Sequence, residues 1–238
     1  MRFVIVFWIM VLNCFGQEFN GLGDLGAGKV AVVAGGGAIT IDAVTNWGYA
    51  GNANQTVSLT TSGSSRYLLV GVATAGIASP TGVTYNGANM SLVASTNNSD
   101  LTTLKLSVYG LVAPSSGTHD IVISISGAPS EWVFSACSWT GVNQSTPYSG
   151  TKTNQAINAA SPTTLTISSA TGEVVVDYAT VYEAFLTIGG GQTQICNITQ
   201  DGESSLGVSY QAGAATITPT WSYVGNKWWV AAAVSLKP

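Results

Sequence analysis

The chain is short of the side chains that do chemistry. Its 238 residues include one histidine (His119), 7 Lys+Arg and 11 Asp+Glu, so only 8% are charged. With one histidine and three scattered cysteines, His/Cys metal clusters are missing and a zinc site has no support. Lys and Arg form no cluster, which argues against binding the phosphates of a nucleic acid. A Ser-His-Asp site would have to use His119. Its neighbour Asp120 falls on the opposite face of an extended strand and is badly placed to orient the ring. No catalytic residue is therefore expected. The apolar run Phe3–Leu12 is well short of the roughly 20 residues that span a bilayer, and no convincing amphipathic helix follows it.

What the amino terminus does carry is the pattern of a secretory signal. Arg2, the apolar run, and small residues at Cys14 and Gly16 predict a signal peptide over residues 1–16, cleaved before Gln17. A lipid-modified Cys14 is the competing reading, against which Asn13 stands where lipoprotein signals usually carry a small residue. Loss of Arg2 takes the formal net charge from −4 to −5, giving a secreted, acidic, lysine-poor protein with no membrane span once the signal is removed. Residues 17–37 read as a glycine-rich arm or linker broken by one strand-like run, Val30–Ala34, and residues 38–238 as one domain. The arm carries a GxGxxG pattern, Gly21 to Gly26. It has neither the preceding strand nor the following helix that a dinucleotide site needs. In an oxidising compartment Cys137 and Cys196 are a possible disulfide, the alternative being two separate buried thiols.

From Ala38 onward short β-rich segments alternate with turn clusters such as Asn86-Gly87 and Gly189-Gly190-Gly191. Strands are predicted over, among others, Arg66–Thr74, His119–Ser126, Trp132–Thr140, Glu173–Tyr182 and Lys227–Leu236. Leu68-Leu69-Val70 and Val174-Val175-Val176 are apolar on both faces, as central strands are. No strand is expected over 148–160, and no internal repeat of fixed period is visible. The fold class is all-β, a two-layer antiparallel β-sandwich, jelly-roll-like.

The succession SRYLLVGVA, VTYNGANMSLV, FSACSWTGVNQSTP, ATGEVVVDYAT and WVAAAVSLKP resembles the β-sandwich modules of secreted bacterial and phage-associated surface proteins. TGVNQSTP and the terminal WVAAAVSL are its most distinctive parts. The resemblance implies a jelly-roll-like fold and a surface or binding role, brings no catalytic residues, and puts Trp139, Trp221 and Trp229 at core positions.

Among the acids, Glu173 and Asp177 share a strand face about 13 Å apart, too wide for a glycosidase pair. Asp177 shares its face with Val175 and Ala179, and a half-buried carboxylate there needs a partner. Arg66 is the one arginine left after signal cleavage, so a structural ion pair Arg66–Asp177 is expected. No metal site is expected beyond a weak case for calcium at Asp24, Asp42, Asp100, Asp201 and Glu203, which form no DxDxD loop. No other cofactor is expected. Trp47, Tyr49, Trp132, Tyr148, Tyr223 and Trp228 are the candidates for an aromatic platform on which sugar rings stack. Capping the sandwich or shielding its edges is the alternative for each. The sequence thus favours a non-catalytic protein of the extracellular space or cell surface that recognises a glycan or another cell-surface component. The alternatives are a structural subunit of a fibre, coat or virion-like assembly, self-assembling through residues 17–37 by strand addition, and last a glycan-active enzyme.

Overall fold

Alternating apolar residues and glycine-rich turns favour strands, and among the described residues every regular element is one. The computed structural model describes residues 32–34, 36–50, 54–76, 79–98, 104–126, 131–200 and 204–238. The first half comprises β1 (Val32–Ala34), β2 (Gly36–Ala50), β3 (Gln55–Thr61), β4 (Tyr67–Ala75), β5 (Ser79–Tyr85), β6 (Ala88–Asn89), β7 (Ser91–Asn97), β8 (Lys105–Val112), β9 (Gly117–Ser126) and β10 (Glu131–Thr140). The second comprises β11 (Tyr148–Ala160), β12 (Thr163–Thr164), β13 (Val174–Val181), β14 (Thr187–Ile188), β15 (Thr193–Gln200), β16 (Ser204–Ala212), β17 (Thr220–Ser222) and β18 (Asn226–Leu236). All pairings are antiparallel. At the β5–β6 hairpin Asn86 and Gly87 both take left-handed φ (+49° and +75°), as a two-residue Asn-Gly turn requires.

Two large sheets, β1-β2-β10-β4-β8-β7 and β11-β18-β13-β16-β15, face each other and form the antiparallel sandwich expected from the sequence. Between them lies a core that includes Leu69, Val133 and Trp139 from one sheet and Val176, Val208 and Val234 from the other. Each outer face of this sandwich carries a further sheet. The sheet β3-β9-β5-β6 covers Leu68, Val70 and Phe134 with Leu59, Tyr85 and Ile121. The sheet β12-β17-β14 covers Val175, Ala179 and Ala231 with Leu165, Leu186 and Trp221. Hence β4, β10 and β13 are buried on both faces, with β4 and β13 apolar almost throughout and β10 carrying small hydroxyls among its aromatic and aliphatic residues.

The strand order exposes a duplication. Reading β2-β10-β4-β8-β7 against β11-β18-β13-β16-β15, and β3-β9-β5 against β12-β17-β14, each element of one half meets its counterpart in the other. The irregularities match too. A bulge interrupts β7 between Leu92 and Ala94, and another interrupts β15 between Gln194 and Cys196, opposite corresponding residues of β8 and β16. A second pair of bulges falls at Asp42 on β2 and Ser149 on β11, opposite Ser138 and Ser235. Cross-strand hydroxyl pairs recur as Thr60–Thr118 (2.7 Å) and Thr166–Thr218 (3.1 Å). In the register this fixes, Trp132 corresponds to Trp229, Gly71 to Tyr178 and Gly110 to Tyr210.

The halves pack as a pseudo-twofold pair, β7 lying across from β11 and β15 across from β2. Near the middle of the interface a large side chain meets a glycine. Any Cβ on Gly71 would collide with the ring of Tyr178, its own counterpart. Two identical residues could not fill that space, so the halves have diverged where they touch.

Candidate functional site

The six candidate aromatics do not form one platform. Trp132 is fully buried beneath the four-stranded sheet, its ring centroid 6.0 Å from that of Phe134. Tyr223 is buried in the second half's outer core, its hydroxyl donating to the Ala159 carbonyl at 3.0 Å. Both are corrections: β10 is buried on both faces, and Tyr223, just past β17, packs into the core under the second half's outer sheet. Trp47 is 49% exposed on β2, and the Tyr49 side chain lies outside the described residues. Trp228 is half-buried and meets Tyr182 edge-on at 6.3 Å. Trp139, Trp221 and Trp229 are in the core as expected.

Tyr148 is different, because it lines a concavity. A groove of about 540 Å³ opens between the halves, walled by the starts of β4 and β7, the end of β8 and the segment 145–148. The Tyr67 and Tyr148 rings meet at 6.5 Å, inclined at 41°. Ser91, Ser145 and Thr146 add hydroxyls, Val93 and Leu111 apolar surface, and no charged side chain lines the groove. Burial and the neighbouring Tyr148 hold the Tyr67 phenol well above the usual tyrosine range, so it remains protonated.

The duplication gives this region a counterpart. In the corresponding region of the other half-interface, Trp139 and Tyr210 pack edge-on at 5.5 Å. Their counterparts at the groove are Leu236 and Gly110. The end of the Tyr67 ring occupies the place where a Cβ on Gly110 would stand. At one half-interface the aromatic pair is Trp139 and Tyr210; at the other it is buried Tyr67 and half-buried Tyr148, with the groove beside them.

The groove's outer wall comes from the motif TGVNQSTP. The Asn143 side-chain oxygen accepts from the Ser145 and Thr146 backbone N–H groups (3.0 and 2.9 Å), fixing the turn. The Gln144 amide donates to the Arg66 and Val142 carbonyls (3.1 and 2.7 Å). Lys237, just past β18, donates its backbone N–H to the Pro147 carbonyl (2.9 Å) and its ammonium to Thr146 Oγ1 (3.1 Å). This wall is held by six hydrogen bonds from outside the sheets.

Arg66 and Asp177 do not pair. The Arg66 guanidinium donates to the Pro114 carbonyl at 2.9 Å and to the Gly63 carbonyl, bracing the turns beside β4. Asp177 faces the outer sheet of the other half. It accepts from Trp221 Nε1–H at 2.7 Å, from Gln192 at 3.5 Å and from the Ser209 hydroxyl. Burial pushes its carboxyl up to about 7, while Ser209, Trp221 and Gln192 oppose the rise. Neutral donors from three strands or turns do the work expected of the arginine.

Glu173 is held separately. Burial would raise its carboxyl, but hydrogen bonds from Ser235, Ser149, Ser169 and the Ala170 N–H outweigh this and keep it below the ordinary range. Cys137 and Cys196 are buried and unbridged, a correction to the possible disulfide; they fill the inter-half core as small apolar side chains. His119 Nε2–H donates to the Ser116 carbonyl (3.0 Å), and Asp120 accepts from Ser58 (2.9 Å) instead of orienting the ring. Of the calcium candidates only Asp42 lies within the described residues, and it is engaged by Ser62 and Ser138. Among the described residues no three His, Cys, Asp or Glu side chains converge on a metal position. Of the arm's strand-like run, Val32–Ala34 pairs with its own β2; residues 17–31 lie outside the described residues.

Sequence reasoning named Tyr148 but not the β7 and β8 residues Ser91, Val93 and Leu111 that face it across the groove, which carry no local signal of their own. Comparison with protein-family models, with curated proteins and with solved structures found no match.

Proposed function

We propose that this is a secreted, non-catalytic recognition protein whose inter-half groove takes a carbohydrate or a similarly hydroxylated component of a cell surface. The observation that carries the reading is the groove between the halves, in which half-buried Tyr148 stands beside buried Tyr67 and the hydroxyls of Ser91, Ser145 and Thr146. Its volume is in the range of small-ligand sites, and it combines aromatic surface with a few polar groups, as such sites do. Tyr148, half-buried, supplies a flat apolar face for the C–H side of a sugar ring and a hydroxyl for its edge. Ser91, Ser145 and Thr146 add hydroxyl donors and acceptors. Absence of charge from the lining suits an uncharged ligand.

A glycan array with the folded domain tests this, followed by calorimetry on the best ligand. Tyr148→Ala should weaken binding at least ten-fold with the melting temperature little changed, because Tyr148 is only half-buried. Unaltered affinity in that variant, or an array without hits, would count against the reading.

A further inference from the structure

Two side chains at the end of the second half are out of keeping with the rest of the surface. Val224 is 87% and Phe185 76% exposed, more than any other large apolar side chain among the described residues. Isolated apolar residues on a surface are ordinary. These two are not isolated. Thr187 pairs with Ser222 across β14 and β17; Phe185 lies two residues before Thr187 and Val224 two residues after Ser222, so both stand at the same end of this strand pair. The corresponding positions of the first half are Gly82 and Ser124, small and polar. The apolar pair therefore belongs to one half only.

The loops that carry it are fixed. Tyr182 N–H donates to the Trp228 carbonyl at 3.0 Å, and their rings, three and four residues along the chain from Phe185 and Val224, meet edge-on. Glu183 and Lys227 approach within 3.8 Å, so the nearby charges cancel. Gly225 closes the β17–β18 turn at φ +78°, and Glu183 holds a left-handed φ of +51°. An exposed apolar tip, a collar of one Trp and one Tyr, and no net charge form the arrangement that suits a lipid–water interface. Apolar side chains enter the acyl boundary there, and the amphipathic rings sit at headgroup level. A protein partner fits less well. A stable interface needs about 800 Å² from each side, whereas one Phe and one Val offer roughly 300 Å². Nor do Phe185 and Val224 bring hydrogen-bonding side chains for a sugar.

We propose that the Phe185–Val224 tip docks this protein on a zwitterionic lipid surface, a contact separate from the groove at the start of β4. The test is co-sedimentation with phosphatidylcholine vesicles, plus quenching of tryptophan emission by acyl chains brominated at shallow depth. Wild type should bind and be quenched. Phe185→Ser/Val224→Ser should lose at least ten-fold in vesicle partitioning with its melting temperature retained, and Tyr148→Ala should bind vesicles as wild type does. Failure of wild type to bind, equal binding by the double variant, or self-association through the tip in sedimentation velocity without vesicle binding would each overturn the proposal.

Discussion

Asp177→Asn should remove a pH dependence that the native protein carries between about pH 4 and pH 7. Folded Asp177 keeps its proton up to about pH 7, because burial outweighs the three donors around it. An unfolded aspartate releases its proton near 3.9. Between those values the folded state binds the extra proton, so this stabilising contribution is complete below about 3.9 and is lost as pH rises toward 7. The slope is about 1.4 kcal/mol per pH unit, or about 2–3 kcal/mol between pH 5 and 7, undiminished by solvent because the group is fully buried. For a domain of this size that corresponds to a fall of about 5–10 °C in melting temperature. Glu173, with its lowered carboxyl, acts in the opposite sense and only below its ordinary range, outside this window. Asparagine keeps an oxygen for Trp221 Nε1–H and offers an amide to Ser209, but cannot titrate. Calorimetric melts of both proteins at half-unit steps from pH 5 to 7 should show a falling wild-type curve and a nearly flat variant. A wild-type curve that is flat or rising, or a variant with the same slope, would refute the placement of this carboxyl.

Other outcomes follow from the packing. Gly71→Ala should cost about 1–3 kcal/mol in urea unfolding, since a Cβ there strikes the Tyr178 ring, whereas Gly82→Ala, with nothing within 4 Å, should cost far less. Glu173→Ala should destabilise by about 2 kcal/mol, leaving the Ala170 N–H and the Ser149, Ser169 and Ser235 hydroxyls without their common acceptor. Cys137 and Cys196 should resist a thiol reagent in the native protein and react in denaturant without prior reduction, which mass spectrometry would read directly.

Apolar runs and turn residues made most of the architecture legible, because β4 and β13 are buried on both faces and announce it in their composition. Strand β11 was not legible. It is an edge strand paired only with β18 and broken by two irregularities, so its side chains never settle into alternation. Nor was the duplication. From β4 onward the separation of counterparts shrinks, from Tyr67 and Val174 to Trp132 and Trp229, leaving no fixed period to detect. The outer sheets, one on each side of the sandwich, depend on pairings between short segments that local sequence does not specify. Charge complementarity pointed to Arg66 for Asp177. The partners are neutral, and they come from Ser209, Trp221 and Gln192, far from Asp177 in the chain. At the groove one wall was visible in Tyr148 and in TGVNQSTP, while the facing wall comes from β7 and β8, which only the tertiary fold brings there.

The groove is tested most directly by chemical-shift mapping of the isotope-labelled protein during titration with the glycan that scores highest on an array. The largest saturable shifts should fall on Ser91, Gly110, Ser145, Thr146 and Tyr148, and disappear in Tyr148→Ala. Saturable shifts centred on any other surface, with these residues unmoved, would contradict it.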